Sequence, residues 1–479
     1  MAIAYRHGVY AQRLPTSIIP PRRTSVSIPL VIGVAPVHKL APASRPVNEL
    51  KMISTYAEFA TTMGWDDDLA SYNLCEFAKV FFSLYTVTPM FVVNVFDPAV
   101  HKSHVDDEAH TFNAEGVIVV GRYGLTAVVV KSTDGATTYV AGTDYELDGP
   151  GGTIVRKTAG QIADKGLVKL AYDFGDPSKV DSADIIGGVA GGKRTGLELV
   201  DMVFPKFREL PGLIVSPGFS AEPSVAILMA AKGANVNGHF RAKAIVDLPE
   251  TLTHYSDVPG WKNDHNLVDE NMVVCWPRLK SGQEVHWMSS HLAALYAKVD
   301  TGNEDVPYET PSNKRYLVEG ASIAGKEALL TLEEANYLNG QGVVTAINFV
   351  GGWRCWGGRT AAYPDDTDVI NAFDCINRMF DWVQNTVILT FWSKVDKPLT
   401  RRFIETIVDS VNIWLNGLAA REYILGGRLE FVSDENPITD LMDGIARFHL
   451  YCTPPSPARE IMFLLEYDPS YLQTLFGQS

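Results

Sequence analysis

The first hundred residues alternate between runs of apolar residues and segments whose apolar positions recur at helical spacing. Ile28–Ala35 and Phe91–Val95 are nearly continuous β-branched and aromatic runs, which is the pattern of strands buried on both faces. Between them, Thr55–Met63 and Leu69–Ser83 have the pattern of helices. The order strand, helices, strand predicts an α/β unit over residues 28–105.

The pattern changes after the second of these strands. His101–His110 is polar and acidic, and we interpret it as a linker. Val117–Tyr172 then has the pattern of strands and turns, with Asp134–Gly135 supplying the left-handed conformation that a hairpin needs. We therefore expect residues 106–185 to form a β-rich domain inserted into the α/β domain.

Alternating strands and helices resume at about Ile185. The predicted strands are Leu213–Ser216, Ala244–Leu248, Met272–Trp276 and Val343–Phe349, and the predicted helices are Glu222–Ala234, Ser289–Lys298 and Leu332–Leu338. This order over residues 186–368 predicts a mostly parallel sheet covered by helices. Ser220 is placed to cap the first of these helices.

The last unit, residues 369–479, has the pattern of an α+β domain. Helices are predicted over Asn371–Gln384 and from Pro398 to Leu418, the second with Asp396 as its N-cap and with one apolar face. Strands are predicted over Leu429–Val432, Ile445–Cys452 and Ile461–Tyr467. At the other end of the chain, residues 1–27 contain three prolines and little periodicity, which predicts an extended arm.

Composition argues against several classes of function. The chain has 479 residues, 46% of them hydrophobic and 20% charged, as expected for about three domains with large cores. Its net charge is −15 and its basic residues form no stripe, which argues against nucleic-acid binding. Five scattered cysteines without C-x-x-C spacing favour a reduced compartment. Polar residues and a proline interrupt the longest apolar run, Val80–Phe96, so we expect a cytosolic protein without a membrane span.

No group of residues has the spacing of a catalytic, metal or cofactor site. Gly187–Gly196 approaches a nucleotide-binding P-loop, but Lys193 is followed by Arg194 where the motif needs a hydroxyl that reaches Mg²⁺. His286 and His291 are five residues apart, a poor spacing for two ligands on one helix face. We predict no enzyme activity, no cofactor and no metal. The alternative that stays open is a cytosolic α/β enzyme that uses Lys193 to bind a nucleotide.

Gly351–Asp365, GGWRCWGGRTAAYPD, combines four glycines with two tryptophans and two arginines. Glycines permit a close approach of the backbone. We therefore expect Trp353 and Trp356 to fill a core between domains, and Arg359 to bridge to a carboxylate.

Several segments resemble, in order, those of contractile phage tail sheath proteins, which form the contracting outer sleeve of phage tails and related particles. They are IPLVIGVAP (28–36), LIVSPGFSAEPSVAILMAAKGA (213–234), AIVDLPE (244–250), HLAALYAKVDTGNEDVPYETPSN (291–313), LEEANYLNGQGVVTAI (332–347), GGWRCWGGRT (351–360) and ARFHLYCTPPSPAREIMFLLEYD (446–468). The match covers most of the chain outside 106–185, and WGGRT and the closing element are its most specific parts. The chain departs from the family's G-I-N at Gly342-Val-Val-Thr and from its P-A-E at Pro457-Ala-Arg-Glu.

The resemblance implies a structural role and a multidomain α/β and α+β fold. It implies a core of subtilisin-like topology (28–105 and 186–368) with an inserted β-domain (106–185) and a C-terminal α+β domain (369–479). Family members assemble helically around the tail tube and contract to drive it through the host envelope. The implied partners are further copies of the chain, a tail tube protein, and baseplate and tail terminator proteins. Assembly in the host cytoplasm and residence in the sheath of the mature virion tail are implied as well.

The resemblance also implies where subunits join. In the family, an N-terminal and a C-terminal arm from neighbours complete a sheet in the C-terminal domain of a third subunit. The candidate strand-exchange residues are Ile3, Tyr5, Val9, Tyr10, Ile461, Phe463, Leu465, Tyr467 and Tyr471. The C-terminal domain faces the tube, and the candidate tube contacts in this acidic chain are Lys394, Lys397, Arg401 and Arg402. An ordinary last strand of the domain's own core stays open as the alternative for Ile461–Tyr467.

Overall fold

A computed structural model of the chain describes residues 25–476. Its first elements are β1 (Pro29–Gly33), β2 (Lys51–Ile53), α1 (Tyr56–Met63), α2 (Asn73–Ala78), which continues as a π-helical segment over Lys79–Leu84, and β3 (Met90–Asn94). Every residue of β1 and β3 is buried, and β1 has parallel neighbours on both sides. The continuous apolar runs therefore predicted these two strands correctly.

The chain then enters an insertion made of strands. They are β4 (Lys102–Thr111), β5 (Val117–Val119), β6 (Thr126–Ser132), β7 (Thr138–Tyr139), β8 (Tyr145–Asp148), β9 (Thr153–Arg156) and β10 (Leu167–Gly175). The prediction of a linker over His101–His110 is wrong, because this stretch is most of β4. β4 is an edge strand of its sheet and alternates between exposed and half-buried positions, so its polar composition is that of a solvated strand face.

The insertion has its own apolar cluster. One sheet has the strand order β4-β10-β6-β7 and the other β5-β9-β8. Both contribute to a cluster made of Phe112, Ile118, Leu125, Val130, Tyr145, Ile154, Ile162, Val168, Leu170 and Tyr172. β4 and β10 pair from Lys102 opposite Gly175 to Thr111 opposite Leu167, so the chain enters and leaves the insertion side by side. A separate cluster with adjacent entry and exit is what an inserted domain requires.

The α/β pattern continues after the insertion. The elements are α3 (Ser182–Ile186), β11 (Val189–Ala190), β12 (Lys193–Arg194), α4 (Val203–Phe207), β13 (Leu213–Val215), α5 (Pro223–Ala234), β14 (Lys243–Asp247), α6 (Asp257–Asp264), β15 (Met272–Cys275), β16 (Arg278–Ser281), β17 (Glu284–His286), α7 (Met288–Gly302), β18 (Gly320–Ile323), β19 (Lys326–Glu327), α8 (Leu332–Asn339), β20 (Val343–Phe349) and β21 (Gly352–Trp356). The main sheet has the order β2-β3-β1-β13-β14-β15-β20-β21. β3, β1, β13, β14, β15 and β20 run parallel, and β2 and β21 are antiparallel edges. The predicted mostly parallel sheet is confirmed.

The cap predicted at Ser220 is wrong. α5 begins at Pro223, and the residue before it makes no side-chain cap bond. A proline at the first helical position has no N–H that needs a partner. The Ser220 hydroxyl instead donates to Asp247 Oδ2 at 3.3 Å and accepts from the Asp247 backbone N–H at 3.0 Å.

The C-terminal part combines long helices with a small sheet. Its elements are α9 (Val369–Ala372), α10 (Asp374–Phe391), α11 (Arg401–Ala420), β22 (Gly426–Glu430), α12 (Ile438–Met442), β23 (His449–Thr453) and a 3₁₀ helix over Pro469–Phe476. α11 begins three residues later than predicted. Thr400 caps it by accepting from the Phe403 N–H at 3.2 Å, whereas Asp396 has a φ of 64° and lies in the preceding turn. Ile407, Val411 and Leu415 on its buried face have the predicted four-residue spacing, and Leu418 follows three residues later on the same face.

The alternative that Ile461–Tyr467 is an ordinary last strand of the domain's own core is wrong. In the structure these residues have no strand partner within residues 25–476, and their side chains are exposed. High β-propensity here is therefore not matched by a partner strand among residues 25–476. In the same described range, no helix is both long and apolar enough to cross a membrane.

Candidate assembly interface

The segment that follows β23 carries uncovered apolar side chains. The exposed fractions are 72% for Ile461, 83% for Phe463, 96% for Leu465 and 75% for Tyr467. Met462 and Leu464 between them are exposed as well, so the segment has apolar side chains on both faces, with Glu466 as the charged position. Tyr471, in the 3₁₀ helix beyond it, is also exposed. Exposed apolar surface of this extent marks a binding surface.

The sheet of the C-terminal domain is too small to be stable without support. β22 and β23 pair antiparallel from Gly426 opposite Thr453 to Glu430 opposite His449, and no third strand joins them among the described residues. Leu429 of β22 belongs to the apolar cluster that α11 also enters. A two-stranded sheet is marginal in water, and its outer edges present backbone N–H and C=O groups. An extended apolar segment and an incomplete sheet thus occur in one chain.

α10 joins the C-terminal domain to the α/β core through a buried polar face. The polar residues of this face recur along the helix at helical spacing; they are Asp374, Asn377, Arg378, Asp381 and Asn385. Its partners lie in the core: Tyr296 donates to Asp374 at 2.6 Å, the Lys243 ammonium lies 3.3 Å from Asp381, and the Arg241 N–H donates to Asn385 at 3.0 Å. Because buried polar groups need defined partners, this contact fixes the orientation of α10 on the core.

The N-terminal arm enters the fold at the same junction. The Ser27 hydroxyl donates to Asp300 of α7 at 2.6 Å, and Arg378 of α10 donates to the Val26 carbonyl at 3.4 Å. Val26 itself packs into the apolar cluster of the C-terminal domain. The candidate residues Ile3, Tyr5, Val9 and Tyr10 lie outside the described residues. The base of the arm is therefore held between the α/β core and the C-terminal domain.

Sequence reasoning did not find this junction. Polar residues at helical spacing are usually a solvated face, and nothing within α10 distinguishes the two cases.

The four candidate tube contacts lie together at the turn before α11 and in its first residues. Lys397, Arg401 and Arg402 are exposed, and Lys394 is half-buried. Arg401 forms an ion pair with Glu405 one turn along α11 at 2.7 Å. The structure thus brings the predicted residues together, with part of their charge already paired.

The P-loop-like segment is a short hairpin. β11 and β12 pair through Val189 opposite Arg194 and Ala190 opposite Lys193, with Gly191 and Gly192 at positive φ in the turn. A hairpin does not place successive N–H groups at the start of a helix, which phosphate binding by a P-loop requires. Lys193 is exposed on this hairpin.

The polar residues at the carboxyl ends of the parallel strands bond to one another. The Asp247 carboxylate accepts from the Ser289 N–H at 2.9 Å and from its hydroxyl at 2.5 Å. The Ser216 hydroxyl donates to the Ile32 carbonyl at 2.9 Å. His286 Nδ1 and His291 Nε2 lie 3.0 Å apart, both fully buried, and burial lowers the pKa of each ring. The edge of the sheet where α/β enzymes bind ligands is filled by structural contacts.

The WGGRT segment serves the α/β core, and the predicted interdomain core of tryptophans is wrong. Trp353 lies on β21, is buried in the main cluster and donates its indole N–H to the Glu319 carbonyl at 3.0 Å. Trp356 is half-buried and donates to Asn336 of α8 at 2.9 Å. The predicted carboxylate partner of Arg359 is also wrong, because its guanidinium stacks on two rings, 3.8 Å from the centroid of Phe373 and 4.2 Å from that of Tyr363.

One family model matches only the region of the insertion, whereas relatives found by sequence match much larger parts of the chain. Residues 98–183 match a family described as a protein of unknown function, UCP028589. Over the full length of both chains, the protein is 29% identical to the tail sheath protein of Burkholderia phage BcepMu. It is also 26% identical to a putative prophage major tail sheath protein of Pseudomonas aeruginosa, over 64% of this chain and 78% of the relative.

Solved structures share the fold at low sequence identity. The sheath of an extracellular contractile injection system in its contracted state, a PVC sheath complex, matches with a TM-score of 0.60 and 13% identity, over 98% of this chain and all of the other. The contracted helical sheath of the anti-feeding prophage matches with a TM-score of 0.58 and 13% identity, over 97% and 100%. These structural matches support a mixed α/β multidomain fold. Together with the sheath relatives found by sequence, they do not support the alternative of a nucleotide-dependent enzyme. The chain is a structural subunit of a contractile tail sheath.

Proposed function

We propose that this subunit assembles into a helical sheath by exchanging strands with its neighbours. The observation that carries the proposal is that one chain contains both an exposed apolar segment, 461–467, and an incomplete sheet, β22–β23. When the tail segment of one copy pairs with the sheet of another copy, the two surfaces in contact are different, so the contact is heterologous. Heterologous contacts that do not close into a ring propagate into helical arrays. Main-chain hydrogen bonds of an added strand give affinity, and its alternating side chains give specificity.

The N-terminal arm supplies the second donated segment in this proposal, through Ile3, Tyr5, Val9 and Tyr10. Its base is held by Ser27 and Arg378, so a pull on the arm acts on the junction between the core and the C-terminal domain. The two arms keep subunits linked while the rigid bodies slide and rotate during contraction. Contraction drives the tail tube through the host envelope.

We infer four parts of the chain, with bounds predicted at 1–27 for the arm, 28–105 and 186–368 for the discontinuous core, 106–185 for the insertion and 369–479 for the C-terminal domain. β4 begins at Lys102, so the insertion starts four residues before its predicted bound. The three separate apolar clusters support this division. For the core we propose the subtilisin-like topology that the resemblance to sheath proteins implies; the observed parallel order β3-β1-β13-β14-β15 is shared with other doubly wound α/β sheets. The label refers to the arrangement of strands and helices and implies no proteolysis.

The proposed partners are a tail tube protein, contacted by Lys394, Lys397, Arg401 and Arg402, and baseplate and tail terminator proteins at the ends of the sheath. Exposed charge pairs each contribute little free energy of binding. A contact between sheath and tube that is made of such pairs can be broken when the sheath contracts. Assembly in the host cytoplasm and residence in the virion tail complete the proposal.

The proposal is tested by negative-stain electron microscopy of concentrated full-length protein, with a tube protein co-expressed. Variants that lack residues 1–24, so that Val26 and Ser27 stay in place, or residues 459–479 are prepared in parallel, and a variant that lacks the exposed hairpin 189–194 serves as a deletion control. We expect striated tubes from the full-length protein and from the control, and none from either arm deletion. Tubes from both arm deletions would refute strand exchange while leaving the sheath assignment intact.

A further inference from the structure

One outer edge of the small sheet is already occupied by a side chain. The Leu429 N–H donates to Asn412 Oδ1 at 2.7 Å, and Asn412 Nδ2 donates to the Leu429 carbonyl at 3.1 Å. Since both backbone groups of Leu429 bond to α11, they point away from β23 and towards the outer edge of β22. The amide of Asn412 thus takes the place that a neighbouring strand would take at the middle of β22.

The other outer edge is open. Leu450 and Cys452 of β23 lie opposite Leu429 and Gly427. In an antiparallel pair, residues opposite each other direct their backbone groups either both inward or both outward. Because Leu429 directs its groups outward, Leu450 does so as well, and Cys452, two residues on, does the same. An added strand can therefore pair with β23 without displacing a side chain.

The burial of apolar side chains shows the same asymmetry. Leu429 of β22 is 5% exposed, whereas Leu450 and Cys452 on the same face are only half-buried. The apolar layer is thus complete at β22 and still open at β23. A strand added beside β23 would continue the layer and cover these two side chains.

We infer that Ile461–Tyr467 of a second copy of this chain pairs with the outer edge of β23 and not with that of β22. The inference rests on the proposed strand exchange and specifies the edge at which it occurs. The donated segment is suited to this edge because it has apolar side chains on both faces. One face covers Leu450 and Cys452, and the other lies beside the aromatic rings of His449 and Tyr451, which stack on the outer face of the sheet.

Disulfide trapping in assembled sheaths tests the inference. Tyr451→Cys on β23 and Arg428→Cys on β22 form a matched pair, because these residues lie directly opposite each other and their side chains stack on one another. Each is combined with a cysteine placed at one position of 461–467 at a time, in a Cys452→Ser background. The other four native cysteines are buried. Electron microscopy confirms tubes before oxidation, and the products are resolved on a non-reducing gel.

We expect ladders of covalent multimers with Tyr451→Cys, at alternate tail positions only, and none with Arg428→Cys. Side chains of adjacent strands are about 4.5–5.5 Å apart at Cβ, whereas a strand two places away is about 10 Å distant, too far for a disulfide. Ladders with Arg428→Cys alone would overturn the edge assignment and keep strand exchange. Assembled tubes without ladders from either variant would contradict both the inference and the donation of 461–467.

Discussion

Arg378 of α10 forms a bidentate ion pair with Asp300 of α7 at the junction of the core and the C-terminal domain, and the two side chains are 2% and 0% exposed. Burial opposes the charge on the guanidinium, but the carboxylates of Asp300 and Asp374 outweigh it and raise the pKa of Arg378. The guanidinium also stacks on Tyr296, 4.5 Å from the ring centroid. A buried pair of this kind specifies one docked arrangement of the two domains.

Replacement of Arg378 by methionine is expected to lower the free energy of unfolding by about 3–5 kcal/mol, because it leaves the charge of Asp300 buried without its partner. Thermal denaturation of the purified chain measures the effect. The control is Arg421→Met, which breaks the half-exposed pair with Glu304 and should cost about 0–1 kcal/mol. Equal losses in the two variants would show that the junction gains nothing from its buried pair.

Glu76 of α2 makes the stability of the core depend on pH. Burial raises its pKa to about 8, although the Ser290 hydroxyl and the Trp287 N–H donate to its carboxyl at 2.8 and 2.9 Å. Between pH 4.5 and 8 the folded chain keeps a proton that the unfolded chain releases, so the contribution of this group falls as pH rises through that window. Glu76→Gln, which resembles the protonated form, should flatten this fall.

The measurement is the melting temperature from pH 5 to pH 8.5 for the wild type and for Glu76→Gln. The control is Glu222→Gln, whose side chain is exposed. Parallel pH curves for all three proteins would mean that Glu76 stays ionised in the fold.

The sequence predicted those features of the fold that depend on local pattern. Apolar runs located β1 and β3, and four-residue spacing located α11, because burial of a regular element leaves a periodic trace. The insertion's edge strand β4 was missed because one face of it is solvated. The ion pair of Arg378 with Asp300 and the hydrogen bonds of Asn412 with Leu429 join residues that are distant along the chain. No local sequence pattern indicates such partners.

Asn412 is expected to stabilise β22 and to protect its edge. Asn412→Ala removes both bonds to Leu429, and an unsatisfied buried backbone group costs about 1–3 kcal/mol, so a loss of this order is expected in thermal denaturation. Asp409→Ala, an exposed position on the same helix, is the control. In assembled sheaths, Asn412→Ala should also allow Arg428→Cys to be trapped by tail cysteines. If trapping at Arg428→Cys stays absent, the side chain of Asn412 does not decide which edge is used.

Charge reversal should separate the contact with the tube from the contacts between subunits. A tube surface that binds these basic residues is expected to be acidic. Arg401→Glu with Arg402→Glu places negative charge against that surface, so co-sedimentation with tube protein is expected to fall, and raised salt should have the same effect on the wild type. Lys131→Glu with Lys169→Glu, on paired strands of the insertion, changes net charge equally and is the control. Sheath variants that lose tubes altogether would point instead to a role of Arg401 and Arg402 in subunit packing. Unchanged co-sedimentation would remove Arg401 and Arg402 from the tube interface.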